Sequence, residues 1–389
     1  MATTTRYFKR KALLAKIETT AGTDAVPTTS ANAIEARNVQ FTPLEANFVE
    51  NNVEVPYYGN APELPVSQAA KISFDVAIQG PGTAGQAPAF GPLLRGAGMA
   101  ETLLAAAATG TAQAGGANSI TLAVTASAVD NAYKGMYLDL TGGTGSGQAG
   151  FVVAYNGTSK VATMAEAWTT PPDATTTYSI GAQAVYAPVS QAFESLSLYM
   201  YLDGLLHKML YARGSVKAKL TPKSLPVLSF DFLSLFTLPT DTPLPATVVL
   251  SGFKQPNPVT NSWSTGARLH GFDSVLYDLS VDLAQKTKHR DDVVGVEDVL
   301  ITERGPSGNA VIGAGLLAEK DWFTAAKNAT LGAALMTHGI AAGSRFRLAG
   351  PSVQVKAPKY ENKDGVNAYG LDLRFCPVNG NDELFFIFD

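Results

Sequence analysis

The sequence predicts a mainly β protein: two tandem β-sandwich or barrel units, each with one flanking helix, and a small all-β unit inserted into the first. Three observations carry this expectation. Strand-like runs alternate with period two, as in Leu228, Phe230 and Phe232 against Ser229 and Asp231, and again in Leu371, Leu373 and Phe375 against Asp372 and Arg374. One order of segments occurs twice along the chain. Residues 105–183 differ in composition from their surroundings and have no counterpart in the second half.

Residues 1–35 read as an arm. Its basic start carries Arg6, Lys9, Arg10 and Lys11. The apolar piece that follows, Ala12 to Ile17, is too short for a signal-peptide core and is interrupted by Glu18 and Asp24. The first unit, 36–104 and 184–245, opens with the strand-like run Ala36 to Glu45. A long polar loop from Glu45 to Ser67 comes next, with Pro56, Pro62, Pro65 and the pair Tyr57-Tyr58. The run Lys71-Ile-Ser-Phe-Asp-Val-Ala-Ile78 and a helical candidate over 88–104 follow, and a hairpin from Gly214 to Lys223 leads into Leu228 to Phe232. The second unit, 246–389, repeats this order. It has Leu279 to Leu283, a charged loop from Leu283 to Pro306, Val311-Ile312, a helical candidate over 317–328, and a hairpin from Gly350 to Lys359 leading into Gly370 to Phe375. Loops this long inside a compact domain are usually functional or ordered by a partner.

The inserted stretch is rich in Ala, Thr and Gly and nearly uncharged. Its strand-like pieces are Ser119 to Val124, Met136 to Leu140, Gly150 to Tyr155 and Lys160 to Met164. Turn signals Gly142-Gly143, Asn156-Gly157 and Pro171-Pro172 separate them.

Composition narrows the function. Only 16% of the 389 residues are charged against 46% apolar, which suits a protein that buries itself against its own copies and equally suits a plain β protein. A net charge of −4 argues against a basic face that grips nucleic acid. The single cysteine, Cys376, excludes an intrachain disulfide framework and reads as a small buried hydrophobe. There is no apolar run of roughly 18 residues or more, hence no helical membrane span.

Motifs for chemistry are weak. Gly145-Ser-Gly-Gln-Ala-Gly150 fits a dinucleotide fingerprint in letters, but Phe151 to Tyr155 after it is strand rather than helix, so a Gly-rich hairpin is expected. His207, His270, His289 and His338 lack metal-ligand spacing, and no G-x-S-x-G elbow is present. No catalytic residue, cofactor or metal is expected.

Six segments carry a resemblance: Lys16-Ile-Glu-Thr-Thr-Ala-Gly-Thr-Asp24, Thr42-Pro-Leu-Glu45, Gly85-Gln-Ala-Pro-Ala-Phe-Gly-Pro-Leu-Leu-Arg95, Phe193-Glu-Ser-Leu-Ser-Leu-Tyr199, Leu202-Asp-Gly-Leu-Leu-His-Lys208 and Pro377-Val-Asn-Gly-Asn-Asp-Glu-Leu384. In order and spacing the chain resembles the major tail tube proteins of long-tailed, siphovirus-type bacteriophages. The resemblance implies a virion structural protein rather than an enzyme. Its subunits form rings that stack into a hollow tube, and genomic DNA passes through the tube without specific binding. It also implies a tape-measure protein, a tail-tip initiator and a tail terminator as partners, with assembly in the bacterial host cytoplasm and a lean towards non-contractile tails. Within it, the duplication favours trimeric, pseudo-hexameric rings over a homohexamer, and the insert resembles outward-facing decorations.

On this reading Glu50, Glu54, Tyr57, Tyr58, His289, Arg290, Asp291 and Asp292 are candidates for contacts between rings, together with the arm. Asp75, Asp231, Asp282 and Asp372 are candidates for the bore, where like charge keeps DNA from sticking; each has an alternative place on an outer wet face. A different class of function, adhesion to surface glycans through the insert, rests on Trp168, Tyr133, Tyr137 and Tyr155 as its ring candidates.

Overall fold

The computed structural model describes residues 5–389 except residue 293. The chain is mainly β, with 51% of residues in strands and 3% in two short helices, in large antiparallel sheets of the β-sandwich class. Eight strands form the principal layer: β1 Arg37–Glu50, β2 Glu63–Ala77, β3 Leu205–Leu220, β4 Val227–Leu235, β5 Leu276–Asp282, β6 Ser307–Gly313, β7 Phe346–Lys363 and β8 Val366–Phe375. They pair antiparallel in the order β1-β2-β4-β3-β5-β6-β8-β7. The first four strands and the last four thus follow one order. The two sets meet edge to edge, Lys217 to Leu220 of β3 lying opposite Asp282 to Leu279 of β5.

Period-two patterning places the core. Leu228, Phe230 and Phe232 of β4 are buried while Asp231 between them is exposed. Leu371, Leu373 and Phe375 of β8 repeat the pattern. Phe230 lies 5.7 Å from Phe74 and 5.8 Å from Phe232 between ring centroids, and a single apolar cluster runs from these rings to Val353 and Phe375. The β7–β8 turn is made by Asp364-Gly365, both at positive φ, which matches the right-handed twist of the flanking strands. Helix α1 (Gly91–Gly96) begins with Pro92 in its first turn, and α2 (Trp322–Lys327) is capped by the Asp321 carboxylate, which accepts from the Thr324 N–H at 2.9 Å.

Strands β3 and β7 each serve two layers. Residues 205–212 of β3 pair with strand Leu196–Leu202, which pairs with Lys11–Ile17, while the later part of β3 pairs with β4. The switch is a bulge between Leu210 and Arg213, where Tyr211 sits at φ 55°. One buried carboxylate pins this bulge. Glu18 accepts from the Tyr211 N–H at 2.9 Å, the Ser197 hydroxyl at 2.9 Å, the Ser195 hydroxyl at 2.6 Å and the Gly22 N–H at 2.7 Å. A second tie joins the halves: strand Gln183–Pro188 pairs with Met99–Leu104 on one side and with Phe385–Phe388 on the other, and the latter pairs with β7.

Residues 108–180 form their own seven-stranded sheet. Phe151 of this sheet meets Phe385 edge to face at 6.4 Å, so its core is continuous with the last strand.

Several expectations need correction. Lys11–Ile17 is a strand inside the fold rather than part of a free arm, because Leu13, Leu14 and Ala15 are buried and the segment pairs along its whole length with Leu196–Leu202. The two long loops are mostly hairpins. Glu45 to Ser67 extends the β1–β2 ladder to Glu50 and Glu63, and Leu283 to Pro306 is a two-stranded hairpin, Gln285–Asp292 with Val296–Arg304. The helical candidate 88–104 ends at Gly96; Gly98, at φ 72°, turns the chain into strand Met99–Leu104. The candidate over 317–328 shortens to α2. Cys376 follows β8 and is only partly buried. Among the described residues no helix is long and apolar enough to cross a membrane.

Candidate interaction surfaces

The face of the principal layer turned away from the apolar core is polar across all eight strands. Ladder neighbours on it run Asp75–Ser229–Lys217–Asp282–Ser307–Arg374. Parallel rows run Ser73–Asp231–Ser215 and Lys219–Ser280–Asn309–Asp372–Lys356. The four aspartates Asp75, Asp231, Asp282 and Asp372 therefore share one face. This face is not uniformly acidic: Lys217 stands directly opposite Asp282, and Lys359 is 3.1 Å from Asp372. Lys359 and the Asn309 amide hold the Asp372 carboxyl below its ordinary value. An acidic lining that repels by like charge is not what these strands present. Lys217 and Lys356 stand opposite Asp282 and Asp372 on neighbouring strands, which sequence alternation could not reveal because ladder neighbours come from distant segments.

Two sheet edges bound this layer. Among the described residues β1 pairs with β2 on one side only. The later half of β7, from Val355, pairs only with β8, because its other neighbour, strand Leu331–His338, ends opposite Gln354. An unpaired edge of this length is a template for another chain. The internal β3–β5 joint shows how this sequence completes such an edge.

The two hairpins differ in what they touch. Hairpin 285–304 lies against the first strand set. Arg213 donates to the Val299 carbonyl at 2.9 Å, the Gln285 N–H to the Ser215 hydroxyl at 3.1 Å, and His289 Nδ1 lies 3.4 Å from the Ser67 hydroxyl. Val299 is fully buried as a result. Hairpin 37–77 instead carries exposed apolar side chains, Phe48, Val49, Leu64 and Val66, leading to an exposed Tyr57 and Tyr58.

Glu50 and Glu54 are likewise exposed, as are Asp291 and Asp292. Arg290 is bound bidentately by Asp298 at 2.6 and 2.9 Å within its own hairpin, and His289 is 3.2 Å from Glu297. Of the basic start, Arg6 donates to the carbonyls of Leu202 and Asp203, and Arg10 pairs with Asp203 at 2.9 Å. The Lys11 ammonium lies 3.7 Å over the Phe8 ring, while Lys9 is exposed.

The insert offers no open aromatic platform at its four ring candidates. Tyr133, Tyr155 and Trp168 are buried, and Tyr137 lies under the Arg347 guanidinium at 3.6 Å. Burial pushes the Tyr155 hydroxyl up to about 12. A cleft of about 420 Å³ beside Trp168 separates the insert from strand Leu331–His338. Its Arg268 is held by Glu166 and Asp273 at 2.8 Å each, and Arg347 by Asp389 at 3.1 Å, so the cleft is a seam of paired charges. The Gly145 to Gly150 string is the turn and start of a strand, Gly145 and Gly147 both at positive φ, and it opens no helix.

His270 is half-buried and His338 buried, and burial lowers both below the ordinary imidazole value; carbonyls of Val353 and Asn257, at 2.7 and 3.1 Å, oppose this only in part. The unfolded chain takes up these protons as pH falls through about 6.5, whereas the fold resists them. Stability is therefore complete above that value and is lost as pH falls through the lower folded-state values. The urea midpoint is expected to be lower at about pH 5 than at about pH 8, and His338→Gln should shrink that difference. A pH-independent midpoint in the wild-type chain would contradict this.

No protein-family model matches this chain, and no curated protein matches it.

Proposed function

We propose that the chain is a structural subunit that joins its own copies edge to edge into closed rings, which stack into a hollow conduit of the phage tail tube type. One observation carries the reading: a four-strand order occurs twice, the two sets are already joined through β3 and β5, and edges of the same two kinds, β1 and the end of β7, are left over. Repeating that joint between chains pairs β7 of one copy with β1 of the next. Cyclic repetition removes every edge. Three chains of two sets each give a pseudo-six-fold ring, the arrangement the duplication favours; a ring of six chains is the alternative.

The polar face would then line the bore. Asp75, Asp231, Asp282 and Asp372 are interspersed there with Lys217, Lys219, Lys356 and Arg374, so passing DNA meets a face of mixed sign rather than an unbroken basic track. Transit without specific binding is part of the same proposal. Partners at the tube ends and a length-setting protein inside it belong to the same proposal, as does a place in the virion. No catalytic step is part of it.

Electron microscopy of the purified protein, with rotational symmetry determined from end-on views, tests the reading. Rings of three chains with six lobes are expected. Six chains per ring would keep the conduit and remove the role given to the duplication. A monodisperse monomer that forms no polymer even with tail-tip components would overturn the reading.

A further inference from the structure

We infer that hairpin 37–77 is seated on the second strand set of the neighbouring copy in the same ring, in the groove beside Cys376. The inference rests on the ring reading above and goes beyond it by naming the seat. The chain contains an internal instance of this contact. β1–β2 and β5–β6 occupy the same position in the two strand sets, and both lead into a hairpin. The one at 285–304 folds against the first set, at the level where Arg213 of β3 stands opposite Leu233 of β4.

Register locates the matching level in the second set. Gly214 lies opposite Phe232 and Val353 opposite Phe375, so Ser352 and Cys376 stand where Arg213 and Leu233 stand. There the surface opens into a groove of about 590 Å³ between Pro306, Ser307, Cys376 and Pro377. Among the described residues, no segment of the same chain plays the part that hairpin 285–304 plays on the first set. Hairpin 37–77 has exposed apolar side chains to fill it, Val49 and Leu64 opposite each other on one face, Phe48 on the other, and Val66 beside them.

Charge favours the same occupant. Between Arg37 and Lys71 the chain has four glutamates, Glu45, Glu50, Glu54 and Glu63, and no lysine, arginine or histidine. The groove wall carries Lys356 and Arg374, both exposed, while Arg304 there is paired with Glu383 at 2.5 Å. Complementary charge steers the encounter and fixes the register, while the apolar side chains supply burial. Within one chain β1 and β7 lie at opposite margins of the layer, so the hairpin reaches this groove in a second copy.

Position Val66 is suited to a test. Ser73 and Ser307 stand opposite Asp231 and Arg374 at equivalent levels; counting back from them brings Val299 level with Pro65 and Val66. Cys376 is the only native thiol. A full-length Val66→Cys chain, assembled and treated with a short bismaleimide, is expected to give a ladder of covalent oligomers on a denaturing gel, and addition of Cys376→Ser should abolish it. Phe48→Cys on the opposite arm serves if Val66→Cys fails to assemble. Intact rings without a Cys376-dependent ladder from either variant would overturn the seat and leave the ring standing. A ladder formed only in stacked tubes and not in single rings would place the hairpin on the next ring and equally overturn it. Absence of rings from the wild-type chain would remove the reading on which it rests.

Discussion

Oxidation of a chain carrying Gln40→Cys, Lys356→Cys and Cys376→Ser is expected to convert assembled rings into a covalent species of three chains. The register comes from the internal joint. There Lys217 stands opposite Asp282. Lys217 and Lys356 are equivalent because each lies one residue past a valine, Val216 or Val355, that faces the matching core residue, Phe230 or Leu373. Asp282 and Gln40 are equivalent because they oppose Ser307 and Ser73. Directly opposed residues in an antiparallel pair are about 4.5–5.5 Å apart at Cα, within the reach of a disulfide. Inside one chain the two positions lie at opposite margins of an eight-strand layer, roughly 30 Å apart at about 4.8 Å per strand, so the bond forms only between chains. A closed trimer on a non-reducing gel, reverting to monomer with reductant, is the expected readout. Oxidised rings that run wholly as free monomers on the non-reducing gel would show that β7 and β1 do not meet in this register.

Replacing Glu18 by alanine is expected to destabilise the chain by about 4 kcal/mol, since each buried donor left without a partner costs roughly 1–3 kcal/mol. Four donors converge on this carboxylate, two of them backbone N–H groups that cannot turn away. The effect reaches beyond the local bonds. Glu18 fixes the Tyr211 N–H at the bulge where β3 leaves one layer for the other, and Tyr211 holds a left-handed backbone there. For a chain of this size the melting temperature should fall by roughly 5–10 °C in a thermal scan. Glu18→Gln should lose less, because one oxygen still accepts while the amide N–H faces donors. A Glu18→Ala melting curve that overlays the wild type would mean that Ser195 and Ser197 are satisfied elsewhere and that the bulge stands without its clasp.

Much of the local architecture can be read from residues in order. Alternation at Leu228-Ser-Phe-Asp-Phe232 and Leu371-Asp-Leu-Arg-Phe375 identifies strands with one buried face, since a strand's side chains alternate whatever it pairs with. The insert's strands fall within a few residues of the runs Met136 to Leu140, Gly150 to Tyr155 and Lys160 to Met164, because turn residues bound them on both sides. The helices were harder to delimit: Pro88 to Leu104 is equally rich in small and apolar residues before and after Gly98, and pairing with Gln183–Pro188 decides that its second part is strand. Lys11–Ile17 misled for the same reason, being a short apolar run beside charges that becomes a strand only because Leu196–Leu202 is available to it.

The candidate surface was legible in its parts and not in its arrangement. Exposure of Tyr57, Tyr58, Glu50 and Glu54 follows from a polar, proline-rich segment. The fate of His289 and Arg290 does not, because hairpin partners Glu297 and Asp298 engage them. Sequence alone determined the alternating core strands such as 228–232 and 371–375, which side of each is apolar, and that one order of segments occurs twice, because these depend on neighbours along the chain. Only the tertiary structure decided that β3 joins β5, that Asp282 and Asp372 lie opposite Lys217 and Lys356, and that β1 and the end of β7 are left without partners among the described residues. Pairing is a choice among many strands of similar pattern, settled by contacts between segments far apart in the chain.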